Sequence, residues 1–138
     1  MNNTAVKTQD LTGTALDWAM AIAVHGKVYC YPDGGLCPPE GTVSLNEDDN
    51  SLWTNIGGFH HGDRRSPSTD WGQAGPLIER TKIGFGPVTR VGWVAHPHRP
   101  NAPTEWLEAE DPLVAICRAI VADKLGMEVS VPAELIQQ

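Results

Sequence analysis

The chain has 138 residues, of which 41% are hydrophobic and 20% charged, and its formal net charge is −7. This length predicts one domain, residues 1–138, that is large enough to bury its own core. No apolar run approaches the roughly 20 residues that span a bilayer, and an acidic chain binds long nucleic acid poorly because such binding needs many cationic contacts. The composition therefore argues against a membrane-spanning protein and against a general nucleic-acid-binding protein.

The cysteines and the N-terminus indicate a reducing compartment. Cys30, Cys37 and Cys117 are an odd number of cysteines, which argues against a complete disulfide framework. Residues 1–4 do not combine a basic segment with a following apolar stretch, so they do not resemble a secretory signal. We expect a cytoplasmic protein.

The first predicted element is a helix that begins at an N-cap, Thr12 or Thr14, and stops at His25-Gly26. A short strand at 27–31 should follow and end in the turn-forming residues 32–35. Periodicity is lost from 36 to 67, where prolines, glycines and an acidic group are frequent. This region is predicted to be a long irregular loop insertion, with a brief strand or helical turn at 52–56 inside it, and long loops in small domains are usually functional or mobile.

The segment SPSTDWGQAGPLIE, residues 66–79, is dense in conformationally restricting residues and glycines. It predicts a rigid, shaped loop, because prolines fix φ and glycines permit unusual backbone angles. The Ser-Thr-Asp run can cap following amides and favours a tight turn or the start of a short helix. One interpretation is a ligand-holding loop. The other is a structural corner, in which Trp71 fills the core and Gln73 binds backbone groups.

The remainder of the chain predicts two strands, 82–85 and 90–95, an extended connection at 96–104, and the clearest helix. That helix has Asp111 as its N-cap, Pro112 at its first position and an apolar stripe that ends before Gly126. A final edge strand is predicted at 128–132. The fold class is α+β: two helices packed on a small antiparallel sheet, with the long irregular insertion at 36–67.

Three blocks of the sequence resemble a phage and prophage protein family of unknown function. They are LTGTALDWA at 11–19, STDWGQAGPLIE at 68–79, and the stretch from DPLVA at 111 through KLG at 124–126 to VP at 131–132. The resemblance covers about half of the chain. It implies a small tailed-phage accessory protein that acts in the cytoplasm of a bacterial host, and it brings no catalytic residues.

A basic central region suggests an anionic ligand. Residues 64–99 contain six lysines and arginines against two acids, a local charge of +4 within an acidic protein. A small anion needs only such a local basic site. Trp71 can stack on a base, which is worth about 1–3 kcal/mol. The predicted ligand-binding residues are Ser68, Thr69, Asp70, Trp71, Gln73, Arg64, Arg65, Arg80 and Arg118, although each arginine alone is also compatible with a solvated surface position.

Catalysis is not supported by the residue patterns. His60, His61, Asp63, His96 and His98 offer ligands for zinc or manganese, but they lack the spacing of a helical or paired-cysteine metal site. Cys117 lies on the apolar stripe of the last helix, where a thiol behaves as a small hydrophobe. We expect no metal, no cofactor and no enzymatic activity.

The predicted function is therefore the binding and sequestration of a small anionic, nucleotide-derived signal of host immunity. Sequestration requires affinity alone and leaves no catalytic motif. The protein could act as a homo-oligomer. Two alternatives remain open: a protein-interaction inhibitor of a host enzyme that uses the acidic residues 47–49, and a metal-dependent phosphodiesterase built on the histidines.

Overall fold

The computed structural model describes residues 3–31, 38–57, 60–88, 90, 92–97 and 106–136. Within these residues the chain forms three α-helices, nine β-strands and two short 3₁₀ turns. The helices are α1 (Gly13–His25), α2 (Trp71–Thr81) and α3 (Pro112–Leu125). The strands are β1 (Asn3–Lys7), β2 (Val28–Tyr31), β3 (Val43–Asn46), β4 (Ser51–Gly57), β5 (His60–Arg64), β6 (Ile83–Val88), β7 (Gly92–Pro97), β8 (Leu107–Ala109) and β9 (Glu128–Pro132).

The α+β class is confirmed, but the expected number of two helices is wrong because the segment predicted as a rigid loop contains α2. Asp70 is the N-cap of α2, and its carboxylate accepts the amide hydrogen of Gly72 (2.8 Å). Two glycines and Pro76 lie inside the helix. Burial of Ala74 and Leu77 in the core stabilises it in spite of these residues.

The second correction concerns residues 36–67, which are not one irregular insertion. Strands β3, β4 and β5 lie here and join β2 in a four-stranded sheet of order β2-β3-β4-β5. Strand β2 is parallel to β3, and the other neighbours are antiparallel. Val43, Leu45 and Leu52 are buried, and Asn50 turns the chain with φ of 59°. The strands are short, so their apolar residues give little periodicity in the sequence.

The other two sheets largely match their predicted strands. Strands β6, β7 and β8 form an antiparallel sheet in which Phe85 lies opposite Ala95. The predicted strand at 128–132 is confirmed as β9, and its antiparallel partner β1 was missed. The predicted strand at 27–31 is confirmed as β2. The turn at 32–35 and most of the predicted connection at 96–104 fall outside the described residues.

Helix α3 is the centre of the core. Its predicted N-cap is confirmed, since the Asp111 carboxylate accepts the amide hydrogens of Leu113 (2.8 Å) and Val114 (3.4 Å). The helix stops before Gly126, as predicted, and packs against α1, α2 and the sheet of β6, β7 and β8. The prediction for α1 also holds at its end, where Gly26 adopts φ of 79° as the C-cap. None of the described helices is both long and apolar enough to cross a membrane.

Truncation of a core side chain should reveal the contribution of α3. Ile116 is fully buried, so Ile116→Ala should lower the free energy of unfolding by about 2–5 kcal/mol through lost burial and the cavity left behind. The exposed Val88 is a control, because Val88→Ala should cost less than about 1 kcal/mol. Urea unfolding measures both. Equal effects at the two positions would contradict the assignment of α3 to the core.

Candidate functional site

Residues 66–73, here called the corner segment, are held by hydrogen bonds of the Gln73 side chain. Its side-chain oxygen accepts the amide hydrogen of Ser66 (2.8 Å), and its amide nitrogen donates to the carbonyl of Arg64 (2.8 Å). The same nitrogen lies 3.2 Å from a carboxylate oxygen of Asp70. Gln73 therefore fastens the end of β5 to the first turn of α2, as the structural-corner interpretation expects.

The corner segment is anchored to α1 by a buried carboxylate. Asp17, in the second turn of α1, is only 6% exposed and accepts the amide hydrogen of Ser68 (2.9 Å). Its partner is 51 residues away in the chain, so this single contact joins two distant parts of the sequence. Neither Asp17 nor Ser68 reaches solvent. Both residues act as structural supports in this arrangement.

Burial raises the pKa of Asp17 to about 6, and the hydrogen bond from the Ser68 amide, the nearby Ser68 hydroxyl and the positive charge of Arg65 oppose that rise. Arg65 is itself partly buried, and desolvation lowers its pKa while Asp17 raises it. The Ser68 hydroxyl is also buried, and it has no partner in normal hydrogen-bond geometry among the described residues even though it lies near the carboxylate. A buried, partly satisfied polar cluster of this kind costs free energy.

Trp71 lies on the outside of the protein and does not fill the core. Its side chain is 50% exposed, and its ring centroid lies 6.3 Å from that of Phe85, which is 41% exposed. The ring centroid of Phe85 in turn lies 6.2 Å from that of Trp93, whose half-buried side chain packs on the core. These three residues, which we call the aromatic surface, present neighbouring ring faces and edges at tilted angles.

Backbone geometry fixes the position of Trp93. Gly92 precedes it with φ of 120°, and a β-carbon at this position would lie 2.9 Å from the carbonyl oxygen of Glu110. Glycine alone fits here. Because Pro87 lies opposite Trp93 in the antiparallel register and Phe85 is two residues before Pro87, Phe85 and Trp93 point to the same side of the sheet.

The predicted arginines do not converge on one site. Arg64 is exposed and its guanidinium lies 5.6 Å from the centre of the Trp53 ring, whereas Arg65 faces Asp17. Arg80 lies in the last turn of α2. Arg118 is buried in α3 and donates to the carbonyls of Leu11 (2.9 Å) and Glu108. It therefore joins two backbone segments to the core helix.

The remaining predicted residues have local partners. Thr69 is exposed, and its hydroxyl donates to the carbonyl of Ser66 (3.3 Å). Asp70 uses one carboxylate oxygen as the cap of α2. The structure thus brings the corner segment, Trp71 and the backbone of Arg64 together around the start of α2, whereas the Arg64 guanidinium lies against Trp53. It places Arg80 and Arg118 in other surroundings.

The groups considered for catalysis are not assembled in the described part of the chain. Within it, no three histidine, cysteine or acidic side chains lie close enough to hold a metal ion. His98 and Cys37 fall outside the described residues, as do the side chains of His60 and His61. Cys117 is fully buried, and burial raises the pKa of its thiol. The thiol is therefore neutral and inaccessible, as expected for a small hydrophobe.

Sequence reasoning missed Phe85 and the role of Asp17. The sequence signal for Phe85 was its two-residue spacing from Ile83 and Pro87, which places the three residues on one side of β6. In the structure Ile83 is buried, and Phe85 and Pro87 are exposed. Sequence reasoning also missed Gln9. The side-chain nitrogen of Gln9 donates to the Glu108 carbonyl (2.8 Å), and its side-chain oxygen accepts the backbone amide hydrogen of Glu108 (2.9 Å). Gln9 thereby pairs with the outer edge of β8 and protects it from pairing with another strand.

These features define an α+β protein with three small sheets, a largely buried helix α3 and an exposed aromatic surface. The chain belongs to the family described as bacteriophage P22, NinX, whose family model matches residues 7–124. The match extends from the end of β1 into the last turn of α3. It confirms the resemblance to a phage protein family. No curated protein matches the chain.

The buried Asp17 carboxylate predicts a specific pH dependence of stability. Its pKa rises from 3.8 to about 6 on folding, so the folded state binds the proton more tightly than the unfolded state. The associated stabilisation is complete below pH 3.8, is lost as the pH rises, and is gone above about 6. At about 1.4 kcal/mol per pKa unit, the loss amounts to about 3 kcal/mol.

Asp17→Asn tests this dependence, because asparagine stays neutral and its oxygen can still accept the Ser68 amide hydrogen. The free energy of unfolding of the variant, relative to the parent, should rise between pH 4 and 6 and then level off. Urea unfolding of both proteins across this range measures the difference, in which contributions of other groups cancel. A difference that does not change with pH would contradict the raised pKa.

Proposed function

We propose that this phage accessory protein binds and sequesters a small anionic, nucleotide-derived signal of host immunity without transforming it. Membership of a phage family supports the general role. The observation that carries the specific role is the aromatic surface, where Trp71 is half exposed although it stands at the start of a well-anchored helix. Such a ring is available for stacking with a base.

The neighbours of Trp71 support a binding role because they fix its position before any ligand arrives. Asp70 caps the helix at the preceding residue, Gln73 fastens the first turn, and Phe85 contacts the ring from the adjoining strand. A ring held in this way loses little conformational entropy when a ligand stacks on it. Base stacking on a tryptophan is worth about 1–3 kcal/mol.

Exposed cationic residues on and between the strands that adjoin the aromatic surface support an anionic ligand. Arg90 is exposed in the connection from β6 to β7, at the hairpin end where Pro87 and Trp93 pair. Arg64 is exposed at the end of β5; its backbone carbonyl accepts the hydrogen bond from Gln73 in the first turn of α2, while its guanidinium lies against the Trp53 ring. Two separated cations suit a ligand with few phosphates, whereas a net charge of −7 disfavours long nucleic acid.

A panel of nucleotide signals provides the test. Thermal unfolding with a cyclic dinucleotide, a cyclic trinucleotide and an ADP-ribose derivative should identify one that raises the midpoint, and the shift should grow with the logarithm of its excess over the dissociation constant. The same compound should be recovered intact after the protein is denatured. A cleaved product would instead place the protein among enzymes.

Substitutions locate the binding surface. Trp71→Ala and Phe85→Ala should each weaken binding of the active compound about tenfold or more, since each removes a stacking or supporting ring. Trp106→Ala is the matched control. Trp106 is also about half exposed, at 51%, and its ring contacts His96. Ala95 lies opposite Phe85 and points to the same side of the sheet, so its neighbour His96 points to the other side. Trp106 therefore lies on the side away from the aromatic surface. Equal loss in all three variants would contradict the assignment.

The aromatic surface also favours a second candidate, inhibition of a host enzyme by direct contact. Trp71, Phe85 and Val88 are exposed apolar side chains, and tryptophan is enriched at the energetic centre of protein interfaces. Glu47, Asp48 and Asp49 form an exposed acidic turn between β3 and β4 that could contribute a second contact. A panel without any thermal shift would favour this candidate.

A further inference from the structure

A pocket of about 210 Å³ lies where the C-terminal turns of the three helices meet. Its apolar lining comes from α1, α2 and α3, and two cationic side chains, Arg80 and Lys124, complete it. We call it the three-helix pocket. The apolar lining residues are Ala23, Val24, Leu77 and Ile120.

The charges around the three-helix pocket are predominantly positive. Across the described residues, the guanidinium of Arg80 makes no hydrogen bond or ion pair. The side chain of Lys124 is 51% exposed, and its Nζ lies 3.9 Å from a carboxylate oxygen of the neighbouring Asp123. His25 ends α1 nearby, and its pKa is lowered by burial first and then by the charges of Arg65 and Arg80. The positive potential of the two arginines therefore reaches the end of α1.

A basic residue in the last turn of a helix commonly offsets the partial negative charge of the free carbonyls. That role requires each side chain to lie only near its own helix end. That role does not require Arg80 and Lys124 to line one cavity, and it does not account for the absence of a carboxylate partner of Arg80 among the described residues. Ile120 is fully buried and Leu77 nearly so, so Ala23 and Val24, which are partly exposed, supply most of the accessible apolar surface. Two cations beside a small apolar surface match the charged and apolar groups that hold small ligands.

We propose that the three-helix pocket binds a small organic anion, with a phosphate monoester held by Arg80 and Lys124 and a short apolar body against Ala23 and Val24. Drug-sized ligands occupy about 300–1,000 Å³, so this smaller space suits an alkyl phosphate of a few carbons. Thr81 contributes no donor, because its hydroxyl already donates to the Leu77 carbonyl (2.6 Å). The pocket is separate from the aromatic surface, and its occupancy does not depend on the proposed signal.

Butyl phosphate is a suitable probe, and inorganic phosphate and butanol represent its two halves. At constant ionic strength, millimolar butyl phosphate should produce saturable changes in the methyl NMR signals of Val24, Leu77 and Ile120, while inorganic phosphate and butanol should bind more weakly. The indole signal of Trp71 should stay unchanged. A response at Trp71 without one at the methyl groups would overturn the pocket assignment and would leave the aromatic surface as the anion site.

Matched substitutions test the cationic contacts. Arg80→Gln and Lys124→Gln should each weaken butyl phosphate binding about tenfold, since each removes one charge-assisted contact. Lys7→Gln makes the same change in net charge on the exposed face of β1 and should leave the affinity unchanged. An equal loss in the Lys7 variant would show diffuse attraction and overturn the proposal. Unchanged affinity in both pocket variants, or absence of any methyl response in the parent protein, would also overturn it.

Discussion

The burial of α3 on nearly every side is the constraint on which the rest of the structure depends. Nine of its 14 residues are buried, and they include the charged Arg118. Such a helix must find packing partners all around, and α1, α2 and the sheet of β6, β7 and β8 supply them. The guanidinium of Arg118 also links α3 to two other segments, because it donates hydrogen bonds to the carbonyls of Leu11 and Glu108, which are far apart in the chain. The guanidinium of Arg118, at the edge of the core, thus helps to place the segments that contain Leu11 and Glu108.

The aromatic surface depends on this core through Asp17. The residue projects from α1, which packs on α3, and its carboxylate fixes the Ser68 amide just before α2 begins. Burying a carboxylate is costly, and the raised pKa of Asp17 records that cost. What the contact provides is the position of the start of α2, and with it the exposed ring of Trp71. A surface hydrogen bond could not fix this position as firmly, because water would compete for the amide.

Features with local signals could be predicted from the sequence. The ends of α1 and α3 are encoded by residues at fixed offsets, such as Asp111, Pro112, Gly26 and Gly126, so these helices were predicted closely. Strands β3, β4 and β5 depend on pairing between short segments and left little periodicity. For the site, Trp71 was recognised as unusual. The polar residues beside it were expected to meet a ligand, but Asp70 and Gln73 hydrogen-bond to the neighbouring backbone, which composition alone does not reveal.

The two candidate surfaces lie at opposite ends of α2, which limits how they can be used. Trp71 is the first residue of this helix and Arg80 lies in its last turn, so a rise of about 1.5 Å per residue separates them by about 14 Å along the axis. This separation exceeds the length of a mononucleotide but not that of a larger signal such as an ADP-ribose derivative. Use of both surfaces by one molecule would therefore require a large ligand, and α2, with its capped start and apolar contacts to the core, would hold both sites in a fixed relation. Any coupling between them would have to travel through this helix or through α3, against which it packs.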